Sequence, residues 1–342
     1  MPPLYPLVFQ PRFKERVWGG RTLETMYGKP LPAGVPIGES WEIADRPGDE
    51  SVIANGAFAG RTLRWLMEHH ADELLGDAAP ATDRRFPILC KILDAREKLS
   101  LQVHPPSGAS GSAGEPKTEM WYVAAAEPGA ELYVGLRRGM TREGFEEGIR
   151  TGRVAECFHR IPVRAGDTMF LPSGRVHAIG AGLVIFEIQQ NSDTTFRVHD
   201  WDRLGLDGRP RELHIAESLA SIDFSDVEPS LVAGETTVDG QFARRALVRH
   251  ALFNADVVRA SAKAVLTLGA PRLRILAVVE RQVMVNGGGV GAALSPGQFC
   301  LLPAAVPDVT LKAQTGSRFL IVEGGRGERE GGRAVSDTRH EA

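Results

Sequence analysis

Two histidines, a glutamate and a glutamine stand in short strand-like segments and together could hold a divalent metal ion. Gln102 and His104 lie two residues apart in LSLQVHP, and residues two apart in a strand project from the same face. Glu119 begins the apolar run EMWYV, and His177 follows a Pro-x-Gly turn. This donor set suits Zn²⁺ with one position left open for a substrate, and would also accept Mn²⁺ or Fe²⁺. A single histidine among the nine in the chain would more often be structural, so the prediction depends on the whole set.

Two further charged residues near these segments are suited to proton transfer. Lys117 precedes the EMWYV run, and Glu187 lies inside the apolar run LVIFEI, which favours a buried carboxylate with a partner. A lysine or a carboxylate whose pKa is shifted by burial can act as a general base, and the sequence leaves the choice between them open. Glu39 and Glu42 in GESWE resemble a glycosidase acid–base pair, but we interpret that run as a structural loop.

Arg197 follows the polar turn NSDTT and could hold an anion through its planar guanidinium. The structural alternative is a salt bridge with Asp200 or Asp202. The chain contains neither a P-loop nor a GxGxxG run, so no nucleotide cofactor is expected. For an anionic group of a substrate, scattered side chains would have to serve, and we take Ser100, Lys98 and Arg197 as candidates.

The elements that must position these residues are mainly short strands. Glycine (38) and proline (22) separate short β-rich runs, a pattern typical of a sandwich or barrel. Helical spacing predicts helices over residues 61–75, 141–158 and 212–221, the second with Thr141 as its N-cap. The acidic segment 224–237 indicates a domain boundary.

A weak internal repeat suggests two related jelly-roll barrels. GDTMFLP (166–172) and GQFCLLP (297–303) share a leading glycine, a short apolar strand and a final proline. No histidine follows the second copy, so the second barrel is expected to be metal-free. We predict a catalytic metal-binding domain over residues 1–225, a second jelly roll over 226–323 and a disordered tail over 324–342.

Composition excludes several classes of protein. A net charge of −3 without a dense basic run argues against nucleic-acid binding. The three scattered cysteines do not suggest disulfides, and we find neither a signal peptide nor an 18-residue apolar window. We therefore expect a cytoplasmic protein that binds no membrane, and a monomer.

Longer matched segments identify a family. The order Gly166-x₅-Pro172-x-Gly174-x₂-His177 resembles the second cupin motif, and Gln102-x-His104 followed by Glu119 resembles the first; cupins are metal-binding jelly rolls. Over residues 7–224 the chain is similar to the type I mannose-6-phosphate isomerases, particularly the short bacterial form. The segments that carry this resemblance are GESWEIADRPGDES (38–51), FPILCKILDAREKLSLQVHP (86–105), KTEMWYV (117–123), LPSGRVHAIGAG (171–182) and FEIQQNSDTTFRVHDWDR (186–203).

The resemblance implies a fold, an activity and a set of residue roles. The fold would be mainly β, with two cupin-type jelly-roll barrels and a few inserted α-helices. The activity would be metal-dependent interconversion of mannose 6-phosphate and fructose 6-phosphate through an enediolate, with one Zn²⁺ per chain. A cupin oxygenase using Fe²⁺ and a non-catalytic sugar-binding regulator are the alternatives. The loop PPSGASGSAGEP after His104 departs from the family's more acidic stretch. The family's metal ligands correspond to Gln102, His104, Glu119 and His177, its catalytic positions to Lys117, Glu187 and Arg197, and a position near the substrate to Ser100.

Overall fold

The protein is built mainly from antiparallel β-sheets, as its sequence predicts. The computed structural model describes residues 2–106, 114–269 and 271–325. Most of the PPSGASGSAGEP loop and, apart from Gly324 and Gly325, the predicted disordered tail lie outside the described residues. In the first half the strands are β1 (Arg12–Gly20), β2 (Ile37–Ile43), β3 (Ile88–Ala95), β4 (Leu101–Val103), β5 (Glu119–Ala126), β6 (Glu131–Leu136), β7 (Phe158–Pro162), β8 (Thr168–Leu171), β9 (His177–Ile179), β10 (Leu183–Gln190) and β11 (Phe196–His199). In the second half they are β12 (Thr236–Asp239), β13 (Phe242–Arg249), β14 (Phe253–Ala260), β15 (Ala264–Leu268), β16 (Arg274–Glu280), β17 (Val283–Gly287), β18 (Val290–Leu294), β19 (Phe299–Leu302), β20 (Val309–Ala313) and β21 (Arg318–Gly324).

The helices are shorter than the spacing of apolar residues predicts. The segment 61–75 forms two helices that meet at His70, and the segment 141–158 ends its α-helix early and continues as a 3₁₀ turn. Thr141 is the N-cap as predicted, because its hydroxyl accepts a hydrogen bond from the amide of Gly144 at 3.1 Å. The α-helices are α1 (Thr22–Tyr27), α2 (Leu63–His69), α3 (Ala71–Leu75), α4 (Arg142–Arg150) and α5 (Ile215–Ser221).

The two halves repeat one strand order. The first half has a six-stranded sheet, β1-β2-β3-β10-β5-β8, and a five-stranded sheet, β11-β4-β9-β6-β7. The second half has the orders β12-β13-β14-β21-β16-β19 and β15-β20-β17-β18. The two peptides of the predicted internal repeat run into β8 and β19, which occupy the same edge position in the two six-stranded sheets. Their similarity therefore reflects equivalent places in a duplicated architecture.

Side chains alternate between the two faces of the first six-stranded sheet, and the two faces pack against different parts of the molecule. On β10, Phe186 and Ile188 belong to the large core that also contains Phe299 and Leu301 of the second half. Ile185 faces the other way, into a smaller core of the first half. Because successive side chains in a strand point to opposite faces, Glu187 lies on the side of Ile185. One face of the sheet thus joins the two halves, and the other faces the candidate site.

Candidate metal centre and catalytic cavity

Three buried side chains from three strand ends meet at one point. His104 directly follows β4, Glu119 begins β5 and His177 begins β9. One ligand atom from each lies within 4.8 Å of the others. Gln102 pairs with His177 across β4 and β9, and its amide nitrogen lies 3.2 Å from Nε2 of His177. The structure therefore brings together the four residues that the sequence selects as metal ligands.

The hydrogen bonds around the histidines hold both Nδ1 atoms and turn both Nε2 atoms toward the cluster. Nδ1 of His104 lies 2.8 Å from the carbonyl oxygen of Thr194, and Nδ1 of His177 lies 2.9 Å from that of Arg175. Such bonds fix the ring orientation of metal-ligating histidines. Nε2 of His104 and Oε1 of Glu119 are buried and have no hydrogen-bond partner among the described residues. Buried polar atoms are normally paired, so these atoms fit a bound cation.

The protonation states of this cluster also suit a metal. Burial lowers the pKa of His177 to about 3, and burial and the Lys117 ammonium lower the pKa of His104. Both rings are therefore neutral imidazoles at neutral pH, the form that binds metals. Burial alone would raise the pKa of Glu119, but Lys117 and His104 outweigh it and hold that pKa well below the usual range.

A cavity of about 570 Å³ opens beside this cluster. Of the predicted catalytic and substrate-binding residues, Ser100, Lys117, Glu187 and Arg197 line it, and so does the ligand candidate Gln102. Ser100 donates a hydrogen bond to the amide oxygen of Gln102 at 3.2 Å.

Lys98 is placed differently from the other substrate-binding candidates. It is not part of the cavity lining. Its ammonium lies over the ring of Trp201, 4.7 Å from the centroid, and 5.5 Å from that of Tyr133. The structure therefore does not bring Lys98 together with the rest of the predicted site.

Lys117 and Glu187 lie between the cavity and the cluster of candidate metal ligands. The Lys117 ammonium lies 2.8 Å from Oε2 of Glu119 and 3.8 Å from Oε1 of Glu187. The indole of Trp121 donates to Oε2 of Glu187 at 2.9 Å. Burial alone would lower the pKa of Lys117, but the two carboxylates outweigh it and raise that pKa. Burial and the nearby Glu119 raise the pKa of Glu187, as its apolar sequence context predicts, although Lys117 and Lys91 oppose the rise.

Arg197 is not engaged in the salt bridge offered as its structural alternative. Asp200 instead accepts hydrogen bonds from Arg203 at 2.8 Å and from Arg211 at 2.5 Å. Arg197 donates to the carbonyl oxygen of Glu212 at 2.7 Å, and its Nε has no hydrogen-bond partner among the described residues. Part of its guanidinium thus remains available to an anion in the cavity.

The sequence reasoning missed several charged residues of the cavity lining, among them Lys91 and Asp193, and it gave Glu39 no place there. Lys91 interrupts the apolar run FPILCKIL, and this was the signal available for it. The interpretation of GESWE as a loop is wrong, because the run lies within β2. Alternation along this strand turns Glu39 toward the cavity, while Glu42 pairs with Lys29 at 2.7 Å on the other face.

Comparisons with known proteins show the family to which this chain is related. Residues 7–137 match the family model described as "Phosphomannose isomerase type I, catalytic domain". The chain is 36% identical to mannose-6-phosphate isomerase ManA of Bacillus subtilis over 316 residues, which cover 90% of this chain and 96% of that protein. It is 36% identical to the mannose-6-phosphate isomerase of Streptococcus mutans over 311 residues, covering 88% and 93% of the two chains. The similarity therefore continues beyond residue 224, where the resemblance described from the sequence segments ends.

Solved structures give the same result. The crystal structure of mannose 6-phosphate isomerase from Bacillus subtilis superimposes with a TM-score of 0.83 at 30% identity, covering 93% of this chain and 99% of that one. A mannose 6-phosphate isomerase bound with zinc and yttrium has the same fold, with a TM-score of 0.71 at 18% identity and coverage of 94% and 99%.

The repeated antiparallel sheets and the buried His–Glu–His cluster define a cupin-type protein with a candidate metal site. Within that class, the chain belongs to the type I mannose-6-phosphate isomerase family. Among the described residues, no helix has the length and apolar character needed to cross a membrane.

Proposed function

We propose that this protein interconverts mannose 6-phosphate and fructose 6-phosphate. The observation that carries the proposal is the position of Lys117. Its ammonium contacts Glu119, one of the candidate metal ligands, and also Glu187, which lines the cavity. The chain matches two mannose-6-phosphate isomerases along nearly their whole length. The cavity has a polar, charged lining, which disfavours an oxygenase that must admit dioxygen to an apolar pocket.

The metal that we propose is one Zn²⁺ per chain, held by His104, Glu119 and His177 with Gln102 as a neutral fourth ligand. The amide of Gln102 needs only a half-turn to present its oxygen to the centre. A bound divalent ion would polarise the substrate's carbonyl oxygen and stabilise developing negative charge there. The relative whose title names zinc supports this choice of ion.

The chemistry of the substrate requires one proton to move between neighbouring carbons. Glu187, a buried carboxylate facing the cavity, is the group we propose to take the proton from C2 and return it to C1. Lys117 lies between two carboxylates, those of Glu119 and Glu187. We therefore propose that its ammonium orients Glu187 and offsets the negative charge of that carboxylate. The hydroxyl hydrogen moves from O2 to O1 in the same isomerisation, so no redox partner is consumed.

Substrate binding is assigned to Arg197 and Ser100. Arg197 presents a partly unpaired guanidinium to the cavity, which suits the phosphate or the enediolate oxygens. Ser100 contacts Gln102 and so lies next to the metal ligands. Lys98 is left out of the proposed site because its ammonium lies over Trp201.

We further propose a cytoplasmic monomer whose second half, residues 226–323, is structural. Cys90, Cys157 and Cys300 are all free and buried, which fits a reducing compartment. Among the described residues, the His–Glu–His cluster of the first half is the group with metal-ligand geometry. Light scattering coupled to gel filtration would measure the mass, and one chain mass is expected.

The activity is tested by following fructose 6-phosphate formation from mannose 6-phosphate before and after chelation. We expect turnover that disappears on chelation and returns with Zn²⁺. A protein that binds one metal ion per chain but does not turn over would contradict the substrate assignment. The proposed base is tested by exchange of the C2 proton with D₂O. Glu187→Gln should abolish exchange, whereas Lys117→Met should slow turnover and leave measurable exchange.

A further inference from the structure

Glu39 is a buried carboxylate in the cavity wall that has no role in the reaction described above. It is 8% exposed and lies on β2. Its Oε1 accepts a hydrogen bond from Nε of Arg16 at 2.7 Å, and its Oε2 accepts one from the indole nitrogen of Trp41 at 2.6 Å. Both oxygens are thus held in fixed positions.

The same carboxylate shares the ammonium of Lys91 with Glu187. Nζ of Lys91 lies 3.6 Å from Oε2 of Glu39 and 3.5 Å from Oε1 of Glu187. It also lies over the ring of Trp41, 4.8 Å from the centroid. Glu39 therefore influences the position of Lys91 in two ways. Its carboxylate attracts the ammonium directly, and its hydrogen bond orients the Trp41 indole over which the ammonium lies.

We propose that Glu39 is a positioning residue that holds Lys91 between two carboxylates and prevents it from forming a close ion pair with Glu187. The inference rests on the proposed function, in which Glu187 transfers the proton. If the negative charge of Glu39 is removed, the closer of the two charges that balance Glu187 is lost. Among the described residues, only Asp193 remains, 4.0 Å from Nζ of Lys91. Lys91 then moves toward Glu187, and the carboxylate that must accept a proton is held by an additional ammonium.

The critical variant is Glu39→Gln, which keeps the shape and an acceptor oxygen but removes the charge. We expect kcat to fall about tenfold or more with a smaller change in KM, because the proposed base is impaired rather than the binding of substrate. Glu39→Asp keeps the charge and withdraws it from Lys91, so an intermediate loss is expected. This second variant also serves if the glutamine variant does not fold.

Glu42→Gln is the matched control. Glu42 lies on the same strand, is also buried, at 5% exposure, and pairs with a lysine, but it faces away from the cavity. We expect its kcat and KM to stay within about twofold of the unmodified protein, even if its stability changes. Equal kinetic losses in Glu39→Gln and Glu42→Gln would overturn the inference, because a general effect of a buried charge would then explain both.

A double-mutant cycle tests whether Glu39 acts through Lys91. In a Lys91→Met background, Glu39→Gln should change kcat by less than about twofold. If Glu39→Gln retains its full effect without Lys91, the inference is wrong. If the unmodified protein does not convert mannose 6-phosphate, the proposed function fails separately. The inference is then read from a crystal structure of Glu39→Gln, in which Nζ of Lys91 should lie clearly closer to Oε1 of Glu187 than 3.5 Å, and an unchanged distance would overturn it.

Discussion

At the candidate metal centre, the Nδ1 contacts of His104 and His177 fix the orientation of both rings, as expected of metal ligands. His177 has one ring nitrogen bonded to a backbone carbonyl oxygen, and its other nitrogen lies 3.4 Å from Oε1 of Glu119. We expect His177→Ala to reduce bound zinc from about one to well below one per chain and to abolish turnover. Elemental analysis after dialysis measures this loss. His69→Ala is the control, since His69 is exposed on α2 and should leave both quantities unchanged. Full zinc content in His177→Ala would exclude this residue as a ligand.

Glu39 also makes a pH-dependent contribution to stability. Burial alone would raise its pKa, but Lys91 and Arg16 outweigh it and lower the pKa from 4.5 to about 2. A carboxylate with a lowered pKa in the folded state stabilises that state fully above its unfolded pKa. This contribution, at most about 3 kcal/mol, is lost as the pH falls from about 4.5 toward 2. Glu39→Gln should therefore lose more free energy of unfolding at pH 7 than at pH 4. Urea unfolding of both proteins at pH 7, 5.5 and 4 measures the difference, and a constant gap across this range would contradict it.

The sequence was sufficient to select the residues that meet at the candidate metal centre and insufficient for the residues that surround them. Gln102 and His104 share a strand face by simple alternation, and the motif around His177 marks a strand after a tight turn. The environment of Lys91, in contrast, depends on Glu39 from β2 and Glu187 from β10, which meet it only because β3 lies between those strands. Alternation assigns a face to each of these side chains, but strand order decides which of them become neighbours.

At the scale of elements, the irregular strand β1 forms one wall of the cavity. Its pairing with β2 shifts register between Glu15 and Gly20, and residues 15–18 line the cavity there. The close approach requires glycine, because a Cβ on Gly19 would lie 2.3 Å from the backbone nitrogen of Gly38. Gly19→Ala should lower the free energy of unfolding by about 1–3 kcal/mol or more through overpacking. Chemical denaturation measures this, with Gly269→Ala as the control because nothing lies within 4 Å of a Cβ there. An effect no larger than that of the control would mean that the two strands can separate freely.

The helices show where periodicity alone misleads. Leu66 and Leu74 are both buried, so the apolar pattern of residues 61–75 continues through the segment. The helix nevertheless ends at His70, whose φ of −141° is not helical. Its ring is buried against Phe58 and Trp65, at 5.5 Å and 5.6 Å between ring centroids. Tertiary packing of a single side chain therefore divides a helix that the sequence predicts as continuous.

At the scale of the whole molecule, the two halves share one hydrophobic core. Phe186 stacks on Phe299 with their ring centroids 5.5 Å apart. Leu7, near the start of the chain, exchanges two backbone hydrogen bonds of 2.8 Å with Leu301 of β19. The predicted boundary near residue 225 separates two sheet pairs in the sequence, but it does not separate two independent cores. The second half is thereby connected to the sheet that carries Glu187.

This shared core predicts that damage in the second half destabilises the catalytic half. Phe299→Ala removes a buried ring, 3% exposed, and should lower the free energy of unfolding by about 3–5 kcal/mol. Because Phe299 packs directly against the strand of Glu187, isomerase activity and far-ultraviolet ellipticity should be lost in one coincident thermal transition. The control is Val265→Ala on the edge strand β15. Val265 is 56% exposed, so this substitution should change the free energy of unfolding by no more than about 0.5 kcal/mol. If activity instead survives a first transition in which only part of the ellipticity is lost, the halves unfold independently. The second half would then be an appended domain rather than a support for the site.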